Sequence, residues 1–276
     1  MIIQNVGFMQ GRLSEVRNGI IQSFPWENWE NEIKDANRLN FKLMEWTLDH
    51  ERIFLNPILT DQGQIRIKDL KKKFDISVTS VTGDCFMQMP FWKFEGHKKK
   101  QLESDFIKIL NILKNIDIKI IVVPVVDNGS IVDIKHQKNL FDFFLSIEEL
   151  LYENKQRIAF ESDKPPNEIK KFFNILKSDR FGVNYDTGNS ASIGYNPSEE
   201  IITYGDKIIN IHIKDRLLNG STVPLGKGNA SFETFFSLIK EINYRGNLIL
   251  QTARSQNGQH GKVLIEYYEF VKKFLN

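Results

Sequence analysis

The stretch 181–189, FGVNYDTGN, decides the fold of this chain. Its apolar residues predict a strand that ends at the carboxylate of Asp186, and a turn of small residues follows. The pattern returns one strand–helix unit later in 208–215, IINIHIKD, where His212 stands near the end of the strand. An apolar strand that ends in a polar side chain is therefore the repeating unit of the sequence.

Two further strands follow the same rule on either side of this pair. The segment 157–163, RIAFESD, carries Glu161 at its end, and the segment 247–252, NLILQT, carries Gln251. Four successive strands thus each place one oxygen or nitrogen ligand at the same end. Two carboxylates, an imidazole and an amide carbonyl form a ligand set that suits a divalent metal ion.

Strands and helices alternate over the whole chain. Four earlier strands are predicted at 2–9, 41–46, 76–81 and 118–126, and helices are predicted at 26–39, 63–74, 96–115, 136–153, 166–177, 197–204, 232–242 and 266–275. The segment 85–94, rich in aromatic residues and methionine, is predicted to be a loop that packs in the core or closes over the site.

Eight strand–helix units match a single-domain (β/α)₈ barrel, a TIM barrel, over residues 1–276. A doubly wound open sheet is the alternative architecture. In an open sheet, however, the ends of four adjacent strands would spread over about 15 Å, which is too far for ligands of one ion. The ligand pattern therefore favours the closed barrel, in which these ends converge on one mouth.

The composition excludes several classes of function. The 37 basic and 35 acidic residues nearly cancel, so the balance gives no reason to expect binding to nucleic acid or to an acidic membrane. The single cysteine, Cys85, permits no intrachain disulfide and fits a reducing compartment. The sequence has no signal peptide pattern and no apolar run near the roughly 18 residues of a membrane span. We therefore expect a cytoplasmic protein.

The four strand ends, with the phrases Tyr-Asp-Thr-Gly-Asn and Ile-His-Ile-Lys-Asp-Arg, resemble the xylose isomerase-like barrel superfamily. This superfamily includes sugar and sugar-phosphate isomerases and epimerases, hydroxypyruvate isomerase, inosose dehydratase and the endonuclease IV nucleases. Its isomerases and epimerases use Glu, Asp, His and Glu to hold one Mn²⁺, Co²⁺, Mg²⁺ or Zn²⁺ ion. The resemblance implies Glu161, Asp186 and His212 as metal ligands, with Gln251 at the fourth position, and Glu161 as the catalytic base.

Gln251 is a departure from the family pattern, which has a second glutamate there. An amide carbonyl can bind a metal ion, but an amide cannot take a proton at neutral pH. Epimerisation moves a proton from one face of a carbon to the other and needs two acid–base groups. Aldose–ketose isomerisation can run on one face with one base, so Glu161 alone favours an isomerase over an epimerase.

Polar residues near the other strand ends are predicted to bind substrate at the same mouth. They are Arg12, Glu45, Asp84, Asn189, Arg216 and Arg254. Arginines suit a substrate with phosphate or carboxylate, because guanidinium binds such groups with two hydrogen bonds. Alternatives are that Asn189 caps the next helix and that Arg216 forms a structural ion pair with Asp215. Strand alternation predicts that Lys214, another acid–base candidate, points away from His212.

The sequence thus predicts a metal-dependent isomerase, or an epimerase, of a sugar or sugar phosphate, which forms no complex with nucleic acid or membrane and could be a homo-oligomer. The alternatives are a sugar dehydratase of the inosose dehydratase type and a non-catalytic sugar-binding barrel, since Gln251 replaces the second glutamate. An endonuclease IV-like nuclease is disfavoured. It needs more metal-binding histidines, and of the five here only His212 stands at a strand end.

Overall fold

The barrel is closed by parallel strands, each contributed by one unit of the repeat. A computed structural model describes residues 5–16, 19 and 22–275. Its strands are β1 Asn5–Met9, β2 Met44–Thr47, β3 Ser80–Thr82, β4 Ile120–Val125, β5 Arg157–Ser162, β6 Phe181–Asp186, β7 Ile208–Ile213, β8 Asp215–Arg216, β9 Thr222–Val223 and β10 Asn247–Leu250. Strands β8 and β9 form a small antiparallel ribbon, and the others form the barrel.

Strand β1 pairs in parallel with both β2 and β10, which closes the sheet. The predicted (β/α)₈ barrel is therefore confirmed, and the open sheet is wrong. The first three residues of the predicted first strand, 2–4, lie outside the described residues.

The register of the strands brings the predicted ligands to one level. Asp186 is the partner of His212 between β6 and β7, and Glu161 is the partner of Pro124 between β4 and β5. Residues of β4, β6 and β7 are almost all buried, as expected for strands covered on both faces. The ends of β5, β6 and β7 therefore deliver their polar side chains to the same mouth of the barrel.

Helices cover the outside of the barrel. They are α1 Trp29–Arg38, α2 Asp61–Phe74, α3 Asp84–Gln88, α4 Gly96–Lys114, α5 Ile134–Ser146, α6 Glu148–Asn154, α7 Pro166–Ile175, α8 Thr187–Ile193, α9 Pro197–Tyr204, α10 Phe232–Glu241 and α11 His260–Leu275. Short 3₁₀ turns lie at Ile53–Leu55, Pro57–Leu59, Phe91–Lys93, Asp127–Gly129 and Gly205–Lys207. No helix of the described part of the chain is both long enough and apolar enough to cross a membrane.

Several predicted boundaries differ from the structure. The predicted helix 136–153 is two helices, α5 and α6, which meet at the buried residue Ile147. The predicted loop 85–94 contains α3, and the closing helix α11 begins six residues earlier than its apolar periodicity indicated. The turn expected after β6 is the helix α8, because Asp186 caps its first backbone N–H groups.

The aromatic segment after β3 belongs to the core. Phe91 and Trp92 are buried, and the indole N–H of Trp92 donates to the carbonyl of Gly129 at 2.9 Å. Phe91 also packs against Phe106 of α4 and Phe143 of α5. These rings fix the loop between β3 and α4 to the outer layer, so they do not close over the mouth.

Candidate active site

Three strand ends bring potential metal ligands together. Glu161, Asp186 and His212 each offer one ligand atom, and these atoms all lie within 4.8 Å of one another. All three residues are buried. Two carboxylates and an imidazole at this spacing fit a single divalent cation.

Both carboxylate oxygens of Glu161 accept hydrogen bonds. Oε2 accepts from the amide of Asn184 and Oε1 from the amide of Asn189, each at 2.6 Å. Burial alone would raise the pKa of Glu161, but the hydrogen bond and charge of His212, together with the charge of Lys214, hold that pKa below its usual value. Glu161 is therefore an ionised carboxylate, able to bind a cation or accept a proton.

The two carboxylate oxygens of Asp186 have different partners, the backbone of α8 and the ammonium of Lys214. Oδ1 accepts from the backbone N–H groups of Gly188 and Asn189 at 2.9 and 2.8 Å, which caps α8. Oδ2 lies 3.3 Å from the ammonium of Lys214. Burial and the nearby charge of Glu161 raise the pKa of Asp186, while Lys214 opposes that rise.

His212 is held from below by Glu45. Its Nε2 lies 2.6 Å from Oε1 of Glu45, and its Nδ1 lies 3.2 Å from Oε2 of Glu161. Burial alone would lower the pKa of His212, but the two carboxylates raise it to about 10. A cation bound at the cluster would take the place of the proton on Nδ1, with Glu45 still fixing the orientation of the ring.

A polar layer inside the barrel supports this histidine, and the sequence reasoning missed most of it. Asn210 donates to Glu45 at 3.0 Å and to Asn184 at 2.8 Å, while Ser80 donates to Glu45 at 2.8 Å. Asn184 and Asn210 each stand two residues before a predicted ligand. Because side chains two apart on a strand share a face, that spacing is the signal that could have identified them.

Lys214 points into the site, which corrects the prediction that it points away from His212. Its ammonium lies 3.3 Å from Asp186, 3.2 Å from Asn189 and 3.3 Å from the carbonyl oxygen of Gln251. Residues 212 and 214 are two apart and therefore share a side. Strand β7 also ends at Ile213, which leaves the Lys214 side chain room to turn inward. The carbonyl oxygen of Gln251, which was predicted to be a metal ligand, thus accepts a hydrogen bond from the Lys214 ammonium.

A cavity of about 410 Å³ opens above the cluster. Of the residues predicted to bind substrate or metal, it is lined by Arg12, Asp84, Glu161, Asn189, Arg216 and Gln251, and also by Lys214. Asn189 does not cap a helix: its amide donates to Glu161, and its carbonyl oxygen accepts from Lys214 and Arg216. It therefore links the cluster to the cationic wall of the cavity.

Two of the predicted substrate-binding residues lie away from the cavity lining. Glu45 is fully buried beneath His212, because it stands two residues before the end of β2 at Thr47 rather than at the strand end. Arg254 donates to the backbone carbonyl of Ser14 at 2.7 Å. Glu45 therefore supports His212 in the barrel interior, and Arg254 supports the loop after β1.

The suggested ion pair between Arg216 and Asp215 is replaced by two separate contacts. Asp215 accepts hydrogen bonds from the backbone N–H groups of Gly226, Gly228 and Ala230, at 2.8–3.0 Å. Arg216 donates to Asn189 and to the carbonyl of Gly220. Asp215 anchors the glycine-bearing loop, and Arg216 faces the cavity.

The fold and cluster agree with the family to which the sequence belongs. Residues 33–273 match the family described as xylose isomerase-like TIM barrel, so the chain is a member of that family. A relative from Haemophilus influenzae, named "Putative L-ribulose-5-phosphate 3-epimerase SgbU", is 24% identical over 249 residues, which are 83% of this chain and 85% of the relative.

Solved structures share the fold at low sequence identity. D-allulose 3-epimerase from Methylomonas sp., solved with D-allulose, has 14% identity and a TM-score of 0.75 over 99% of this chain and 98% of its own. The IOLI protein, solved with a zinc atom, has 15% identity and a TM-score of 0.76 over 98% and 99%. The predicted family is confirmed, and the comparisons support an enzyme of the sugar epimerase and isomerase kind.

Proposed function

We propose that this chain is a divalent-metal-dependent enzyme that isomerises or epimerises a sugar or sugar phosphate through an enediolate. The observation that carries the proposal is the cluster of Glu161, Asp186 and His212, with ligand atoms within 4.8 Å of one another below a cavity of about 410 Å³. A cavity of this size is within the range of small-molecule sites.

A metal ion held by Glu161, Asp186 and His212 would supply a Lewis acid beside a substrate carbonyl. Glu161 removes the proton from the neighbouring carbon, because its carboxylate lines the cavity whereas Asp186 does not. Asn184 and Asn189 orient its two oxygens, and Asn189 also joins it to Lys214.

The substrate is expected to carry an anionic group. Arg12, Lys214 and Arg216 all line the cavity, and Ser221 and Thr222 lie beside Arg216 on the ribbon. Guanidinium and hydroxyl groups suit a phosphate better than a neutral hydroxymethyl end. These cationic side chains suit a phosphorylated ketose, which is the kind of substrate in the name of the Haemophilus relative.

Metal content and turnover test the proposal. We expect the purified protein to bind one equivalent of Mn²⁺, Co²⁺ or Zn²⁺ and to convert L-ribulose 5-phosphate or D-allulose. Glu161→Gln should lower turnover by roughly 10³-fold, since a positioned general base contributes about 10²–10⁴-fold. The exposed Glu168→Gln of α7 is the matched control and should leave turnover unchanged. Full activity in Glu161→Gln would remove the proposed base.

A non-catalytic sugar-binding barrel is the second candidate, and Gln251 is the observation that favours it. Its amide carbonyl is engaged by Lys214 at 3.3 Å, so the fourth position offers neither a charge nor a base. This alternative predicts binding of the same sugars with no deuterium entering them from D₂O. Deuterium incorporation by the wild-type protein would exclude it.

A further inference from the structure

The loop after β1, residues 10–14, brings Arg12 to the wall of the cavity. Arg12 is only 5% exposed, so the surrounding protein fixes where its guanidinium can point. The backbone enters this position through Gly11, whose φ of 93° favours glycine. The placement of this cation therefore depends on how the loop is held.

One carboxylate holds the loop on both sides of Arg12. It belongs to Glu32, which lies on α1 and is fully buried. Its Oε2 accepts from the backbone N–H of Gly11 at 2.7 Å. Its Oε1 accepts from the backbone N–H of Leu13 at 2.9 Å and from the hydroxyl of Ser14 at 2.8 Å. These three hydrogen bonds offset the cost of burying the charge, and all of them come from the loop.

The guanidinium of Arg12 is held at one nitrogen and keeps other donors. Its Nη1 donates to Gln22 at 2.8 Å, and Gln22 donates in turn to Thr47 of β2 at 2.9 Å. Its Nε has no hydrogen-bond partner within the described chain. Because a guanidinium carries five N–H donors, Arg12 can still bind an anionic group in the cavity.

The other two cations of the described cavity lining are bound more fully by the protein. Lys214 contacts Asp186, Asn189 and Gln251. Arg216 donates to Asn189 and, through two nitrogens, to the carbonyl of Gly220. Arg12 is therefore the cation of this wall that is best able to recognise a substrate anion.

We infer that Glu32 is a positioning residue that orients Arg12, and that this pair gives the site its preference for a phosphorylated over an unphosphorylated sugar. The inference rests on the proposed function of the same site. Glu32 is not among the described residues that line the cavity, so it acts through the loop rather than by contact with substrate. A loop that is already ordered spares the substrate the cost of ordering Arg12 on binding.

Calorimetric titration with ribitol 5-phosphate and ribitol, in the presence of Mn²⁺, tests the inference. These sugar alcohols differ only in the phosphate and have no carbonyl to react. The wild-type protein should bind ribitol 5-phosphate at least about tenfold more tightly than ribitol. Arg12→Met should weaken binding of the phosphorylated probe about tenfold and leave ribitol binding unchanged.

Glu32→Gln keeps the size of the side chain but replaces one acceptor oxygen with an N–H donor. It should reproduce the loss seen in Arg12→Met, again for the phosphorylated probe alone. The double variant should be no weaker than Arg12→Met, because Glu32 acts through Arg12. Glu27→Gln, which changes an exposed glutamate just before α1, is the matched control and should bind both probes as the wild type does.

Several results would overturn the inference. They are equal wild-type affinity for the two probes, unchanged phosphate affinity in Arg12→Met, equal losses of both probes in Glu32→Gln, and additive losses in the double variant. Either of the last two would make Glu32 a support of the fold alone. If Glu32→Gln does not fold, Ser14→Ala removes one of the three donors and takes its place in the same comparison. The expected binding without turnover of L-ribulose 5-phosphate would overturn the proposed function but retain the phosphate preference.

Discussion

The carboxyl groups on two sides of the barrel mouth differ in how many of their oxygens accept hydrogen bonds. On the β5–β7 side, both oxygens of Glu161 and both of Asp186 have donors at 3.3 Å or less. On the β3 side, Asp84 leaves one oxygen buried without a partner in the described chain. Carboxylates whose oxygens all have donors hold a fixed position, as a metal site requires. Burial, with the nearby charges of Asp49 and Glu161, raises the pKa of Asp84 to about 7.

A second difference lies between the mouth and the interior of the barrel. The mouth exchanges with solvent through the cavity, whereas Glu45, Asn210 and His212 beneath it are fully buried. Removing one partner of a buried ion pair strongly destabilises a protein, because the other charge is left buried without compensation. We therefore expect the interior layer to govern stability and the mouth to govern chemistry, and three substitutions test that division.

The largest effect on stability is expected for Glu45→Ala. The substitution leaves the buried His212 without its 2.6 Å partner, so the free energy of unfolding should fall by about 3–5 kcal/mol. Glu45→Gln retains an acceptor for Nε2 and should cost much less. Urea denaturation of both variants measures the difference. A loss below about 1 kcal/mol in Glu45→Ala would show that the interior layer is not a stabilising unit.

Asp84→Asn should change stability in a pH-dependent way. The folded pKa of about 7 exceeds the ordinary 3.8, so the contribution of Asp84 to stability is full below about pH 4 and is lost as the pH rises through 7. Asparagine does not titrate. The variant should therefore gain about 4 kcal/mol relative to wild type between pH 4 and pH 8, because the two pKa values differ by about 3 and each pKa unit corresponds to about 1.4 kcal/mol.

Urea denaturation at the two pH values measures that gain, with Asp142→Asn as the control. An equal difference between Asp84→Asn and wild type at both pH values would mean that folding does not change the pKa of Asp84. The carboxyl groups on the two sides of the mouth would then titrate alike, despite their different hydrogen bonding.

The smallest effect is expected for Lys214→Met. Removal of an ammonium 3.3 Å from Asp186 leaves the cluster more negative, so Zn²⁺ should bind about tenfold more tightly, or about 1.4 kcal/mol. Isothermal titration calorimetry measures this directly, without turnover. Gln251→Glu adds a negative charge at the same place and should also tighten binding. Unchanged affinity in both variants would mean that the fourth position takes no part in holding the ion.

Much of the fold could be predicted because its signal is local and periodic. Apolar runs such as 181–186 and 208–213 specify buried strands, and eight of them separated by helices leave few architectures. The sequence also indicated Glu161, Asp186 and His212, because each stands at the end of such a strand. Helix boundaries were less certain, since caps such as Asp186 act through a side-chain oxygen rather than through apolar spacing.

By itself, then, the sequence determined the alternation of elements and the chemistry available at each strand end, including the glutamine at position 251. Only the tertiary structure decided how those groups are used. It placed Glu45 under His212, turned Lys214 toward Asp186, and placed Asp84 on the cavity wall with one oxygen that has no hydrogen-bond partner in the described chain. The physical reason is that these contacts join strands far apart in the chain, and barrel closure sets their distances and burial.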